Sequence, residues 1–265
     1  MSNRVAFING KGGCGKTTSI VHVAGVLAAS GERVLVLDFD KQGNAGKTLL
    51  MNSEMPPQTV FEFMQGKATA AEATGKALFQ SRSNAKPKYC GVDVMVASKK
   101  LEKERELRKL DAEKFHEEFN RFVEEQGYTW VLVDMPPSND ALNEICFKGV
   151  VDFAVIPFSS DTYSVDGYGD IIETIDEARE VNPSLNVLGV YLSRYMRTSG
   201  IDCFIKEQLE ANFATFIPVQ IPMATDVREG IIFGRPISYY KEHSASRTAY
   251  ENLVEEMKKR INANR

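Results

Sequence analysis

Six short runs along the chain are apolar with almost no polar interruption. They are RVAFIN (4–9), RVLVLDFD (33–40), VDVMVA (92–97), WVLVDM (130–135), DFAVIPF (152–158) and NVLGVYL (186–192). Runs this continuous suit parallel strands covered on both faces, whereas a strand with one wet face alternates apolar and polar. Between them, KTTSIVHVAGVLAAS (16–30) reads as a helix stopped by Gly31. The Lys- and Glu-laced stretch 99–126 keeps Leu101, Leu107, Leu110, Phe115, Phe119 and Phe122 near helical spacing, which predicts one long helix with a solvated charged face. Alternation of strands and helices predicts an α/β fold: a doubly wound, mostly parallel sheet with helices on both faces. Residues 66–90 carry little pattern, SRSNAKPK (81–88) reads as a surface loop, and Tyr239 and Tyr240 read as strand packing. With no repeat or low-complexity linker, a single domain over 1–265 is expected.

Composition adds only exclusions. At 265 residues, 43% hydrophobic and 26% charged, the chain is ordinary globular material, and its formal charge of -4 argues against a surface that is basic throughout. No run of about 18 apolar residues exists to cross a bilayer, and the chain enters its first strand with no room for a signal peptide. Cys14, Cys90, Cys146 and Cys203 are scattered without a CxxC pair, which favours reduced thiols. A cytoplasmic location is expected.

The chemistry concentrates in NGKGGCGKTT (9–18), which contains Gly10-x-x-x-x-Gly15-Lys16-Thr17 between a predicted strand and a predicted helix. Glycines let backbone N–H groups converge on phosphate oxygens, and the helix N-terminus adds positive potential. In this P-loop reading the cradle is Gly10, Lys11, Gly12, Gly13, Cys14, Gly15, Lys16, Thr17 and Thr18. Lys16 would reach the β- and γ-phosphates of ATP, Thr17 would ligate Mg²⁺ and Thr18 would reach the α-phosphate. The bland alternative is a glycine-rich turn with no ligand, in which Lys11 is a solvent-facing filler and Cys14 fills a variable position.

KGGCGKTT (11–18) resembles the deviant Walker A loop of the ParA/MinD superfamily, K-G-G-x-G-K-[ST]-T. The resemblance implies that Lys16 serves the subunit's own ATP while Lys11 crosses a nucleotide-sandwich homodimer to the partner's phosphates. VLDFDKQGNA (36–45) is similar to the family's D-x-D-P-Q-x-N-[AS]-T, with Lys41 in place of proline and Gly46 in place of threonine. It implies that Asp40 lies beside the attacking water and Mg²⁺; the alternative is an Asp that ends a strand and caps a helix. WVLVDMPPS (130–138) resembles a Walker B strand, and implies that Asp134 holds the metal together with Thr17 and Asp40. Pro157, Gly167, Ile221, Pro222, Glu229, Gly234, Pro236, Ile237, Ser246, Tyr250 and Glu255 follow the family's later motifs, so the resemblance covers nearly the whole chain.

Within the superfamily the chain is similar to small ParA/Soj-type partition ATPases. These bind non-specific DNA as ATP dimers and hydrolyse ATP with a ParB-like partner, which implies association with the nucleoid in the ATP state. Candidate phosphate contacts are Arg197 and Arg228, with Arg194, Lys206, Arg235 and Lys241 beside them; each is equally read as a solvated surface charge. The chain begins at its first strand, so no N-terminal helix-turn-helix domain is expected. Two other readings stay open. A MinD-like membrane switch needs an amphipathic C-terminal helix, but Tyr250, Leu253, Val254, Met257 and Ile261 read as a core face, and no membrane partner is expected. An ATP-dependent metabolic enzyme of the same fold would use the same loop on a small-molecule acceptor.

Overall fold

A computed structural model describes residues 2–80, 86–137, 140–160 and 167–265. Eight strands form one sheet: β1 (Asn3–Phe7), β2 (Val34–Asp38), β3 (Thr74–Phe79), β4 (Lys88–Met95), β5 (Trp130–Asp134), β6 (Phe153–Phe158), β7 (Asn186–Tyr195) and β8 (Phe216–Pro222). Their order is β3-β4-β2-β5-β1-β6-β7-β8, and every pairing is parallel except β3 with β4. The doubly wound α/β sheet expected from the six apolar runs is present, with two further strands at its edges.

The apolar runs are continuous because both faces of the sheet are covered. Val34 and Val36 face one core with Trp130, Leu132 and Ile20. Their neighbours Leu35 and Leu37 face the other with Val131, Val133 and Phe119. Alternate side chains point to opposite faces, so a strand buried on both sides must be apolar throughout. On the first face the helix Lys16–Ala29 lies against the C-terminal helix Ala245–Ala263, where the His22 and Tyr250 rings approach to 4.9 Å.

Three expectations need correction. The stretch 99–126 is not one helix but a 3₁₀ turn Lys99–Glu102, a short helix Glu104–Leu107 and a helix Ala112–Glu125. Asp111 accepts from the Lys114 N–H, so a side chain caps a new helix inside the stretch, while Ser98 caps the turn that opens it by accepting from the Lys100 N–H. The breaks hardly disturb the periodicity, since Leu101, Leu107, Phe115 and Phe119 all still face the core. Tyr239 and Tyr240 lie on a short helix Ile237–Tyr240 rather than a strand. The poorly patterned stretch 66–90 contains β3 and the start of β4. Of the expected loop 81–88, residues 81–85 fall outside the described residues.

Candidate nucleotide site

β1, β2 and β5 are neighbours, and their C-terminal ends carry the three motifs. Asp134 at the end of β5 lies in register with Phe7 on one side and Asp38 on the other. A parallel sheet opens its ligand crevice at these ends, beside the strand after which the order reverses. The loop after β1 feeds the helix Lys16–Ala29 directly.

The loop is wrapped around one ammonium group. Lys16, only 7% exposed, donates from Nζ to the carbonyl of Asn9 at 2.8 Å and to that of Lys11 at 3.1 Å. Asn9 braces the entry to the loop: its Nδ2 donates to Pro157 O on β6 at 2.9 Å and its Oδ1 accepts from the Lys11 N–H at 2.8 Å. Sequence reasoning missed Asn9, although an Asn directly before a glycine loop is a signal for this kind of side-chain clamp. Cys14, at the loop's variable position, points inward. It is 1% exposed, its thiol donates to the Lys11 carbonyl at 3.4 Å, and burial pushes that thiol above its ordinary range. Gly13 and Gly15 adopt φ of 81° and 94°, left-handed conformations that suit glycine. At Gly15 a Cβ would also overlap Ser193 Oγ, so the loop is seated directly on the end of β7.

Thr17 Oγ1 donates to Asp134 Oδ2 at 2.7 Å. Asp134 Oδ1 is buried and meets no hydrogen-bond partner among the described residues. Burial, and then the charge of Asp40, push the Asp134 carboxyl up to about 7, against the opposing pull of the Thr17 hydroxyl and Lys16. A hydroxyl and a half-satisfied buried carboxylate beside a lysine-centred loop form a donor set suited to Mg²⁺ carried by a nucleotide.

Asp40, half-buried just beyond β2, accepts from the Gln42 N–H at 2.9 Å through Oδ1. Asp38 is fully buried and accepts from the Gly46 N–H at 2.8 Å; burial and the adjacent Asp134 push its carboxyl well up. The two departures in this motif have local causes. A Cβ at Gly46 would come within 3.2 Å of Val96 Cγ1. Lys41 pairs with Glu102 at 2.9 Å, tying the Asp40 turn to the segment after β4.

The basic candidates are less uniform. Arg197 and Arg228 are exposed, as is Lys241. Lys206 pairs with Glu210 at 2.8 Å. Arg194 turns inward, with Nη1 donating to the Gly13 carbonyl at 3.3 Å. Arg235 is 9% exposed and donates to the carbonyls of Gln80 and Tyr239 at 3.1 and 2.7 Å, so its charge works within the fold. Gly167 opens the helix Gly167–Val181, whereas Ser138 and residues 161–166 of the two motifs around them fall outside the described residues.

No described helix is long and apolar enough to cross a membrane. The C-terminal helix spends its apolar side internally, with Tyr250, Leu253, Val254, Met257 and Ile261 at most 2% exposed. Comparison with known proteins agrees with this geometry. Residues 2–187 match the AAA domain family. The chromosome partitioning protein ParA of Caulobacter vibrioides is 29% identical over 258 residues, covering 96% of this chain and 92% of its own. Two solved structures share the fold. The septum site-determining protein MinD of Pyrococcus horikoshii, complexed with Mg-ADP, has a TM-score of 0.73 at 21% identity, covering 100% of this chain and 99% of its own. Cobyrinic acid a,c-diamide synthase of Mycobacterium smegmatis, with a bound ATP analogue and magnesium, has a TM-score of 0.75 at 19% identity, covering 100% and 98%. With the loop, the two Asp motifs and the sheet order in place, the chain belongs to the AAA domain family and, within it, to the ParA/MinD superfamily of deviant Walker A ATPases.

Proposed function

We propose that this protein is a ParA-type ATPase of DNA segregation, which dimerises around ATP and Mg²⁺, binds non-specific DNA in that state and is released through hydrolysis stimulated by a ParB-like partner. The observation that carries the reading is the different placement of the loop's two lysines. Lys16 is buried at the centre of its own loop, while Lys11, half-exposed, lies on the rim with its backbone clamped by Asn9. Only a cation on the rim is placed to meet a second nucleotide across an interface, where two polyanions need positive charge between them.

Within one subunit, the loop N–H groups and Lys16 would hold the β- and γ-phosphates, and Thr17 with Asp134 would hold the metal. Bound there, Mg²⁺ would neutralise phosphate charge. Asp40, next to Asp134 and outside the most buried layer, is placed to orient an attacking water. The γ-phosphate must supply the preference for the dimer, since a ligand shifts an equilibrium only by its differential affinity for the two states. Dimerisation would then align Arg197, Arg228 and Lys241, together with Lys206, into one surface for DNA phosphates. The curated relative above is named for chromosome partitioning, whereas the synthase shares only the fold.

The test is binding to random-sequence duplex DNA with ATP–Mg²⁺ and with ADP, at low and moderate salt. Tight binding confined to ATP and falling steeply with salt is expected. Equal binding in both nucleotide states, or none in either, would overturn the DNA-carried switch.

A further inference from the structure

Arg194 is the only non-glycine residue with positive φ among the described residues, at 58°. A bulky residue there is strained, and such strain persists only where the surroundings over-determine it. They do so here. The next residue's carbonyl, Tyr195 O, accepts from the Met223 N–H at 3.0 Å, and the Met196 N–H donates to the buried Asp202 carboxylate at 2.5 Å. On the other side Ser193, 3% exposed, seats Gly15. The twist at Arg194 turns its side chain back toward the phosphate loop, where Nη1 reaches the Gly13 carbonyl.

That contact has a directional consequence. A trans peptide is planar, and its C=O and following N–H point opposite ways. Holding Gly13 O toward Arg194 therefore holds the Cys14 N–H away from it. Gly12 and Gly13 have open space where a Cβ would lie, so no side chain of their own anchors these two peptides. Glycine peptides flip readily, and one fixed in advance spares the nucleotide the cost of ordering it.

We propose that Arg194 is a positioning residue for the nucleotide, fixing the Gly13–Cys14 peptide so that the loop's N–H groups are preset for phosphate. This rests on the nucleotide-binding reading above and reassigns Arg194 from the DNA-facing set to the loop. Arg194 acts on ground-state binding, through the loop and not at the reacting atoms.

The experiment titrates a fluorescent ADP analogue with Mg²⁺ into the wild-type chain, Arg194→Gly, Arg194→Ala and Arg194→Lys, with melting curves and ATP turnover for each. Arg194→Gly suits the positive φ, so it should melt at or above the wild-type temperature and yet bind nucleotide about tenfold more weakly, the worth of one orienting hydrogen bond. Arg194→Lys keeps a donor and should recover part of that loss. Turnover should show a raised KM for ATP with kcat nearly unchanged, the signature of lost uniform binding. Wild-type affinity in Arg194→Gly, or a fall in kcat at constant KM, would overturn the assignment. A wild-type chain that binds no nucleotide would instead overturn the functional reading beneath it.

Discussion

Thr17 and Asp134, 117 positions apart in the chain, are joined by a 2.7 Å hydrogen bond from the hydroxyl to the carboxylate. The bond links the first turn of the loop helix to the end of β5 and leaves the second carboxylate oxygen without a donor among the described residues. Asp134→Asn should therefore keep the fold and bind the nucleotide while losing most of its Mg²⁺ dependence, with hydrolysis lowered by about 100-fold or more. Nucleotide titrations with and without Mg²⁺ check this; an Asn variant that still needs Mg²⁺ as the wild type does would show that the metal sits elsewhere.

The two lysines should separate cleanly on substitution. Lys16→Ala removes the ammonium at the loop's centre and should weaken nucleotide binding by about 100-fold, the loss of charge-assisted contacts to phosphate. Lys11→Ala should leave monomer affinity within about threefold, because the Lys11 contact that shapes the loop is made by its backbone. Sedimentation with a non-hydrolysable ATP analogue then decides the matter: the Lys11 variant should stay monomeric where the wild type dimerises.

Asp40→Ala should slow hydrolysis and accumulate the ATP dimer, with Thr17 and Asp134 left to hold the metal. Turnover at the wild-type rate would remove Asp40 from the hydrolytic step.

His22 supplies a pH limit to stability. It is fully buried, accepting from the Ile237 N–H at 2.9 Å through Nδ1, so Nε2 carries the proton donated to Val227 O at 3.1 Å. Burial lowers its pKa from 6.5 to about 4. Below the unfolded value the unfolded chain takes up a proton that the native chain refuses. Stability from this group is therefore complete above pH 6.5 and falls as pH drops toward 4, by about 3 kcal/mol at most. Asp134 and Asp38, both raised, act in the opposite sense, favouring the native state as they protonate. Urea unfolding of wild type and His22→Gln at pH 7 and pH 4.5 isolates the histidine: the gap between them should narrow as pH falls.

The parts legible in the sequence were those in which chemistry demands particular residues at particular spacing, or in which two-sided burial demands unbroken apolar runs. The six strands belong to this class, as does the placement of the loop after β1, of Asp40 after β2 and of Asp134 at the end of β5. The edge strands do not. β8 carries Pro218 and Pro222, which an edge tolerates, and β3 alternates because one face is partly open. The false long helix shows the limit of periodicity, since a capped break leaves the apolar spacing nearly intact. Asn9 and Arg194 were hidden for another reason: their roles come from where β6 and β7 end beside the loop, a property of topology that no local pattern encodes.

β1 and β2 are not paired with each other; β5 lies between them and pairs with both. During synthesis the loop and the Asp40 turn leave the ribosome long before Trp130–Asp134. Pairing across so great a sequence separation is slow, and domains generally complete folding as units. A nascent chain that ends short of β5 thus lacks the strand that joins β1 to β2, and with it Asp134. On the proposed reading, nucleotide capture would wait until β5 has paired between β1 and β2.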